Sequence, residues 1–224
     1  MAVDLTHEQL DALKRIDSPT IANAIETFKV RPRVAGYVGM DIKCIYPDLP
    51  PMVGYAVTCT VDSTTEGREG ISFNELYKAL EDAPKPAVVV LKDAGQDNRL
   101  SCHVGEVMAT TMRRLGAVGV VTDGGLRDVK EVASLGGFQY FCRGFVVSHG
   151  DLVCVSVGDT VTISGMVVRS GDLLHGDVNG VVHIPDECAA EVAAAAVATW
   201  VREGETMRNV ARPDYRVGGS ELRH

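Results

Sequence analysis

Glu106, Arg127 and Asp128, in two short loops, carry the chemistry that is legible in this chain. An apolar run, Val118 to Val121, stops at Asp123-Gly124-Gly125 and is followed at once by Arg127-Asp128. A strand that ends in a Gly-Gly turn, with a cation and a carboxylate side by side at its mouth, is how α/β proteins build small anion sites. Glu106 lies upstream, with twenty residues between it and Arg127, in a second Gly-led turn, Val104-Gly105-Glu106. An acid on one loop and an Arg-Asp pair on the next fit a hard divalent cation beside a bound carboxylate.

Each of these residues also has an ordinary reading. An isolated loop Arg is more often solvated or surface-paired than catalytic, but a Gly-Gly turn lets backbone approach a ligand, and a guanidinium fork suits a carboxylate or enolate oxygen. Asp128 stands where a helix N-cap belongs. It can equally hold Mg²⁺ with most of the ion's shell left as water, provided that a chelating substrate completes the site. Glu106 can be a first-turn acid favoured by the helix dipole, or an acid that moves protons through a held water. The amides of Val107 and Met108, at the same helix start, are placed to hold a substrate carboxylate. His103 reads as a surface loop residue or as a lining of the substrate mouth, and His175 and His183 as packing or solvent-facing residues. The chain has no H-x-x-x-H pair, no G-x-S-x-G elbow, no P-loop and no dinucleotide fingerprint, which disfavours zinc, a serine triad and nucleotide cofactors.

The elements that must position these residues follow from periodicity and turn chemistry. Thr6 with Gln9 predicts a capping box and a short helix to about Arg15. Ser18-Pro19 predicts a second helix, with Ser18 as N-cap and Pro19 at the first helical position. Residues 29–53 are loop-rich with one strand near 41–46, and Gly54 to Val61 is a strand. From residue 73 the pattern alternates: helix Phe73–Leu80, buried strand Pro86–Leu91, polar loop Asp93–Val104, helix Gly105–Leu115, strand Ala117–Val121, helix Asp128–Leu135, strand Phe138–Cys142. That alternation implies parallel pairing. After residue 144 come short strands at 153–157, 160–163, 166–168 and 181–184, separated by Gly158-Asp159, Ser164-Gly165, Gly171-Asp172 and Gly176-Asp177, read as turns of a largely antiparallel second sheet. An Ala-rich helix follows, from Glu187 to about Arg202, and then a polar tail. The expected architecture is α/β in three layers: a central parallel sheet, a second, largely antiparallel sheet, and helices.

Composition narrows the function. The 224 residues are 46% hydrophobic and 23% charged, enough for a substantial core. The net charge is −8 and there is no basic cluster, which argues against nucleic acid and against anionic membranes as partners. Cys44, Cys59, Cys102, Cys142, Cys154 and Cys188 form no C-x-x-C pair and read as small buried hydrophobes in a reducing compartment. The first residues carry neither a basic nor an apolar leader segment, and no apolar run approaches about 18 residues, so a cytoplasmic location is expected.

Several segments resemble the family that contains 4-hydroxy-4-methyl-2-oxoglutarate/4-carboxy-4-hydroxy-2-oxoadipate aldolase and the regulator of ribonuclease E activity A. They are Ser18-Pro19-Thr20-Ile21-Ala22-Asn23-Ala24, Gly54-x-Ala56-x-Thr58, Gly105-Glu106, GVVTDGGLRD at 119–128 and GDLLHGDVNGVVHIP at 171–185. The resemblance covers roughly residues 15–185. It implies a three-layer β/β/α sandwich of the swivelling-domain type, one domain over 1–224. Residues 186–224 would form a helix and tail against a neighbouring subunit of a homotrimer or homohexamer, with Glu203 or Glu205 as a shared acid. It implies Mg²⁺ or Mn²⁺ as cofactor, Asp128 as metal ligand and Arg127 on the keto or enolate oxygen. Gly105, Val107 and Met108 would bind the substrate carboxylate, and Glu106 would move a proton through a held water. The family's usual acid at that place is Asp, so Glu106 departs by one methylene. The implied activity is retro-aldol cleavage of a 4-hydroxy-2-oxo acid to pyruvate, with oxaloacetate decarboxylation through the same enolate. The alternative is a non-catalytic, protein-binding regulator built on the same fold.

Overall fold

The computed structural model describes residues 3–217. In chain order the helices are α1 His7–Leu13, α2 Ser18–Phe28, α3 Phe73–Asp82, α4 Glu106–Arg114, α5 Val129–Ser134 and α6 Val192–Val210. The strands are β1 Lys43–Cys44, β2 Met52–Asp62, β3 Ala87–Asp93, β4 Cys102–Val104, β5 Ala117–Thr122, β6 Gly125–Leu126, β7 Gln139–Cys142, β8 Gly144–Phe145, β9 Val153–Val157, β10 Val161–Ile163, β11 Met166–Val168, β12 Leu173–Asp177 and β13 Gly180–Ile184.

The main sheet runs β1-β7-β5-β3-β2-β12-β13, with β9 also on β2. Its centre, β7-β5-β3-β2, is parallel, as the continuous apolar runs predict. β2 is long enough to take two antiparallel partners, β12 along residues 52–55 and β9 along residues 59–62. The antiparallel second half of the chain is thereby joined to the parallel first half.

The faces sort by residue parity. Val57, Cys59 and Val61 of β2 and Val89 and Leu91 of β3 pack on Leu76 and Leu80 of α3, Ala109 and Met112 of α4 and Val132 of α5. Val53 and Tyr55, on the same face, pack on α1, α2 and α6 through Leu13, Ile21 and Ala196. The even-numbered Ala56, Val88 and Val90 meet Val161, Ile163, Met166 and Val168 of the β10–β11 hairpin. Hairpin, sheet and helices are thus the three layers. Each fully buried Val or Leu contributes roughly 1.5–3 kcal/mol to holding them.

Four details differ from the sequence reading. Asp17, not Ser18, caps α2: its carboxylate accepts the Thr20 N–H at 2.9 Å, while the Ser18 hydroxyl turns to His175 Nδ1 at 2.9 Å. Gly176-Asp177 is not a turn but the end of β12. Gly176 is needed because a Cβ there would lie 2.9 Å from Phe141 Cζ, a close approach within a strand. The polar stretch after Asp93 ends in a buried strand, β4. α6 begins at Val192 and extends to Val210, because residues 185–191 close shorter turns, Cys188 N–H to Pro185 O and Glu191 N–H to Cys188 O.

Beyond the C-terminal ends of the central strands, β4, β6 and β8 form a small parallel sheet of their own. Each leads directly into one loop: β4 into Gly105, β6 into Arg127-Asp128, β8 into the segment ahead of β9. Three loops distant in sequence are thereby laid side by side at the carboxyl edge, where parallel sheets place ligands.

Candidate active site

The Gly-Gly turn is dictated by close packing. A Cβ at Gly124 would lie 2.8 Å from His103 Nε2, and one at Gly125 would lie 2.7 Å from Ser101 O. Without side chains there, β6 settles on β4, with the Gly125 N–H on Ser101 O at 2.8 Å and the Arg127 N–H on Val104 O at 3.0 Å. Asp123 serves the frame: its carboxylate pairs with Lys92 and accepts the Asp93 N–H at 2.7 Å. His103 is not a surface residue: its side chain is fully buried, with Nδ1 2.7 Å from Thr122 Oγ1 and Nε2 2.8 Å from Ser101 Oγ. Burial pushes the nearby Asp93 carboxyl up, but the His103 ring 3.6 Å away and hydrogen bonds from the Gly95 amide and Ser101 outweigh it and hold the group below its usual range. This buried polar layer is the floor on which the site loops rest.

Asp128 occupies the N-cap position of α5 without capping it. Its backbone is left-handed, φ 58° and ψ 43°, a conformation that costs a non-glycine residue about 1–2 kcal/mol, less for Asp than for most. That twist turns the carboxylate to the neighbouring loop, where Oδ2 accepts the Glu106 N–H at 2.8 Å. Arg127 Nε stands 3.6 Å from the same oxygen and is buried with no hydrogen-bond partner. Gly105 makes the fit possible. A Cβ there would collide with Asp128 Oδ2 and lie 2.8 Å from Arg127 Nε. Gly105 also offers no side-chain cap to α4, so the first-turn amides of Val107 and Met108 are left open. Gly105→Ala is therefore expected to lower any turnover at this site at least about tenfold and to lower unfolding stability by roughly 1–3 kcal/mol. Steady-state rates and urea melts measure both; an unchanged pair would show that the interlock is unimportant.

A cavity of about 280 Å³ opens on this corner, lined by Cys102, His103, Val104, Gly105, Val107, Met108, Arg127, Asp128, His149 and Leu152. Of the residues singled out in the two loops, all but Glu106 line it. Glu106 contributes its amide to the corner, but its side chain is exposed and lines no part of the cavity. His149 and Leu152 were invisible to sequence reasoning, since the Ser148-His149-Gly150 turn ahead of β9 has no periodicity; the glycine beside a histidine is the one available signal. Burial pushes the Cys102 thiol up, with Arg127 opposing, so it is protonated at neutral pH. Glu203 Oε1 accepts the Asn23 amide at 3.2 Å within its own chain, and Glu205 is exposed. A second cavity, about 310 Å³ between α2 and β13, has its Ser18 hydroxyl committed to His175 and its Asn179 amide to Asp177.

The RraA-like family model, described as Aldolase/RraA, matches residues 17–183. Over 168 residues the chain is 27% identical to protein DlpA of Legionella pneumophila subsp. pneumophila, across 70% of this chain and 26% of that protein. Over 111 residues it is 30% identical to the "Putative 4-hydroxy-4-methyl-2-oxoglutarate aldolase" of Halalkalibacterium halodurans, across 49% of this chain and 51% of that protein. The alignments thus span about a quarter and about half of those relatives. Among solved structures, Streptomyces coelicolor RraAS2, described as an unusual member of the RNase ES inhibitor RraA protein family, superposes with a TM-score of 0.70 over 91% of this chain and 97% of its own. At 22% identity that likeness is one of fold. No helix among the described residues is long and apolar enough to cross a membrane. With the family model running from α2 to β13 and through all three cavity loops but the C-terminal helix, the chain belongs to the Aldolase/RraA family.

Proposed function

We propose that this chain is a divalent-metal-dependent carbon–carbon lyase that cleaves a 4-hydroxy-2-oxo acid to pyruvate and decarboxylates oxaloacetate through the same enolate. One observation carries the reading: Asp128 adopts a costly backbone conformation that leaves its helix uncapped and places its carboxylate on the cavity wall beside a guanidinium whose buried Nε has no hydrogen-bond partner. The Glu106 amide engages Oδ2; a ligand with an anionic oxygen and a cation would engage the other carboxylate oxygen and the Arg127 Nε.

The donor set fits Mg²⁺ or Mn²⁺. The described residues include no cluster of three or more His, Cys, Asp or Glu able to cage an ion, and Asp128 offers one carboxylate, the arrangement in which magnesium keeps waters and substrate oxygens in its shell. When bound, the ion would polarise the 2-oxo group as a Lewis acid. The protein's own groups do the rest. The open amides of Val107 and Met108 hold the substrate carboxylate at the positive end of α4. Gly105 lets the substrate approach the backbone. Arg127 faces the oxygen on which enolate charge develops, a stabilisation worth about 3–4 kcal/mol for a well-placed donor. Glu106, at the rim, exchanges protons between the site and solvent.

A homotrimer or homohexamer is part of this proposal, with residues 186–224 against a neighbouring subunit. Val197, Trp200, Val201 and Met207 are exposed along α6 at helical spacing, which supports such a contact. Residues 218–224 lie outside the described region.

The test is pyruvate release from oxaloacetate and from 4-hydroxy-4-methyl-2-oxoglutarate, with Mg²⁺, with Mn²⁺ and with EDTA. Metal-restored turnover that EDTA abolishes is expected. Turnover indifferent to EDTA, or none on either acid, overturns the reading in favour of a non-catalytic regulator.

A further inference from the structure

All six cysteines are free thiols, and two of them meet away from the cavity. Cys59 of β2 and Cys154 of β9 sit on strands that pair antiparallel, with a register shift between Thr60 and Val61 that sets Val61 opposite Cys154. Cys59 and Val61 share a face of β2, so Cys59 and Cys154 are diagonal neighbours on one face of the sheet. Their sulfurs stand 3.5 Å apart in an S–H···S contact. Both residues belong to the core cluster under α3, at 1% and 0% exposure. The lyase reading gives neither thiol a part.

A disulfide holds its sulfurs about 2.05 Å apart. From 3.5 Å the two sulfurs close that gap by moving inward, so the packed core need not expand to receive the product. The six thiols also differ in readiness. Burial pushes Cys44 and Cys102 up, Cys142 up to about 12 and Cys188 up to about 11. Cys154 moves the other way: its hydrogen bond with Cys59 outweighs burial and holds it below its usual range, while that bond and burial push Cys59 up. The thiolate is the form that attacks an oxidant. The cover over β9 is slight. The segment 66–72 is mostly exposed and meets β9 in one isolated bridge, with the Ile71 N–H on Cys154 O at 2.7 Å. Exposed segments held by few bonds open locally, which suffices for an oxidant little larger than water.

We propose that Cys59 and Cys154 are an oxidation site, which hydrogen peroxide converts to a disulfide in the folded protein. The Cys154 thiolate attacks one peroxide oxygen: an S–O bond forms, the O–O bond breaks, and the departing hydroxide takes up the proton that Cys154 released, giving water. The Cys59 sulfur then attacks the sulfenic sulfur of Cys154. The S–S bond forms, the S–O bond breaks, and the oxygen leaves with the Cys59 proton as a second water. The two thiols lose two electrons and the peroxide gains them. The bridge closes a loop that contains β3 to β8, and with them all three loops of the cavity. A cross-link over that length restricts the unfolded chain, so oxidation makes the site-bearing half of the fold harder to unfold.

The test treats the reduced, full-length protein with about two equivalents of hydrogen peroxide, quenches with catalase, alkylates the remaining thiols and maps the peptides by mass spectrometry. The intact mass before alkylation should fall by about 2 Da, for two hydrogens. The map should join Cys59 to Cys154 and show Cys44, Cys102, Cys142 and Cys188 alkylated. The urea midpoint should rise by about 0.5–1.5 M, and dithiothreitol should reverse both changes. Cys59→Val keeps an apolar side chain at the site and should lose the link and the midpoint shift, leaving Cys154 as a sulfenic acid that dimedone traps. The wild-type map decides even where that variant is unstable. Six thiols still free, a link between another pair, or this link formed only in urea overturns the proposal. A Cys59–Cys154 link that leaves the midpoint unmoved overturns its stabilising effect.

Discussion

Asp128→Asn is expected to unfold at the wild-type urea midpoint while releasing pyruvate at least about a thousandfold more slowly, a loss of roughly 4 kcal/mol in barrier. The amide oxygen still accepts the Glu106 N–H that Asp128 Oδ2 accepts at 2.8 Å, and Asn tolerates the left-handed backbone as well as Asp does. Only the charge goes, and with it the single carboxylate offered to a cation. Asp128→Ala should be as inactive and also less stable, by about 1 kcal/mol or more, because Ala loses the acceptor and suits φ 58° poorly. Calorimetric titration with Mn²⁺ completes the pair: binding should be lost in both variants. An Asn variant with more than a tenth of wild-type activity would remove Asp128 from the chemistry.

Arg127→Lys is the second large effect. The Lys stem replaces the methylenes that lie over Gly105, and the charge is kept, so the fold should hold. The planar fork is lost, and with it the donor now buried without a partner in the chain. Both aldol cleavage and oxaloacetate decarboxylation should fall about 10²–10³-fold, mainly in kcat, because enolate charge develops in both reactions. A variant that raises KM alone would move Arg127 from enolate stabilisation to ground-state binding.

The parallel core was readable because β3 is apolar on both faces: Ala87 to Leu91 are all fully buried, and a run of that kind has few other uses. The small parallel sheet was not readable. Two or three residues of Cys-His-Val, Gly-Leu or Gly-Phe have no period, and the pairing of β6 with β4 depends on Gly124 and Gly125, which approach the His103 ring and the Ser101 carbonyl. β12 was hidden for a related reason, since Gly176 resembles a turn residue until Phe141 is seen above it. His103 misled because its neighbours, Ser101, Thr122 and Asp93, are polar residues that suggest a loop when the hydrogen bonds of its ring are out of view. The spacing from Glu106 to Arg127-Asp128 identified loops that do adjoin, but spacing says nothing about where a first-turn side chain points, and here it points to solvent. His149 needed the third loop to be placed beside the other two, which is a matter of tertiary structure.

The bond from Asp128 to position 106 ends on a main-chain amide. Every amino acid except proline supplies that donor, so the corner is assembled without reference to the side chain at 106. Evolution is therefore free to exchange the acid there, shortening it, lengthening it or discarding it, while Asp128 and the guanidinium beside it stay in register. In the proposed lyase, a lineage could retune proton exchange at this rim by a single codon and leave the Asp128–amide bond intact.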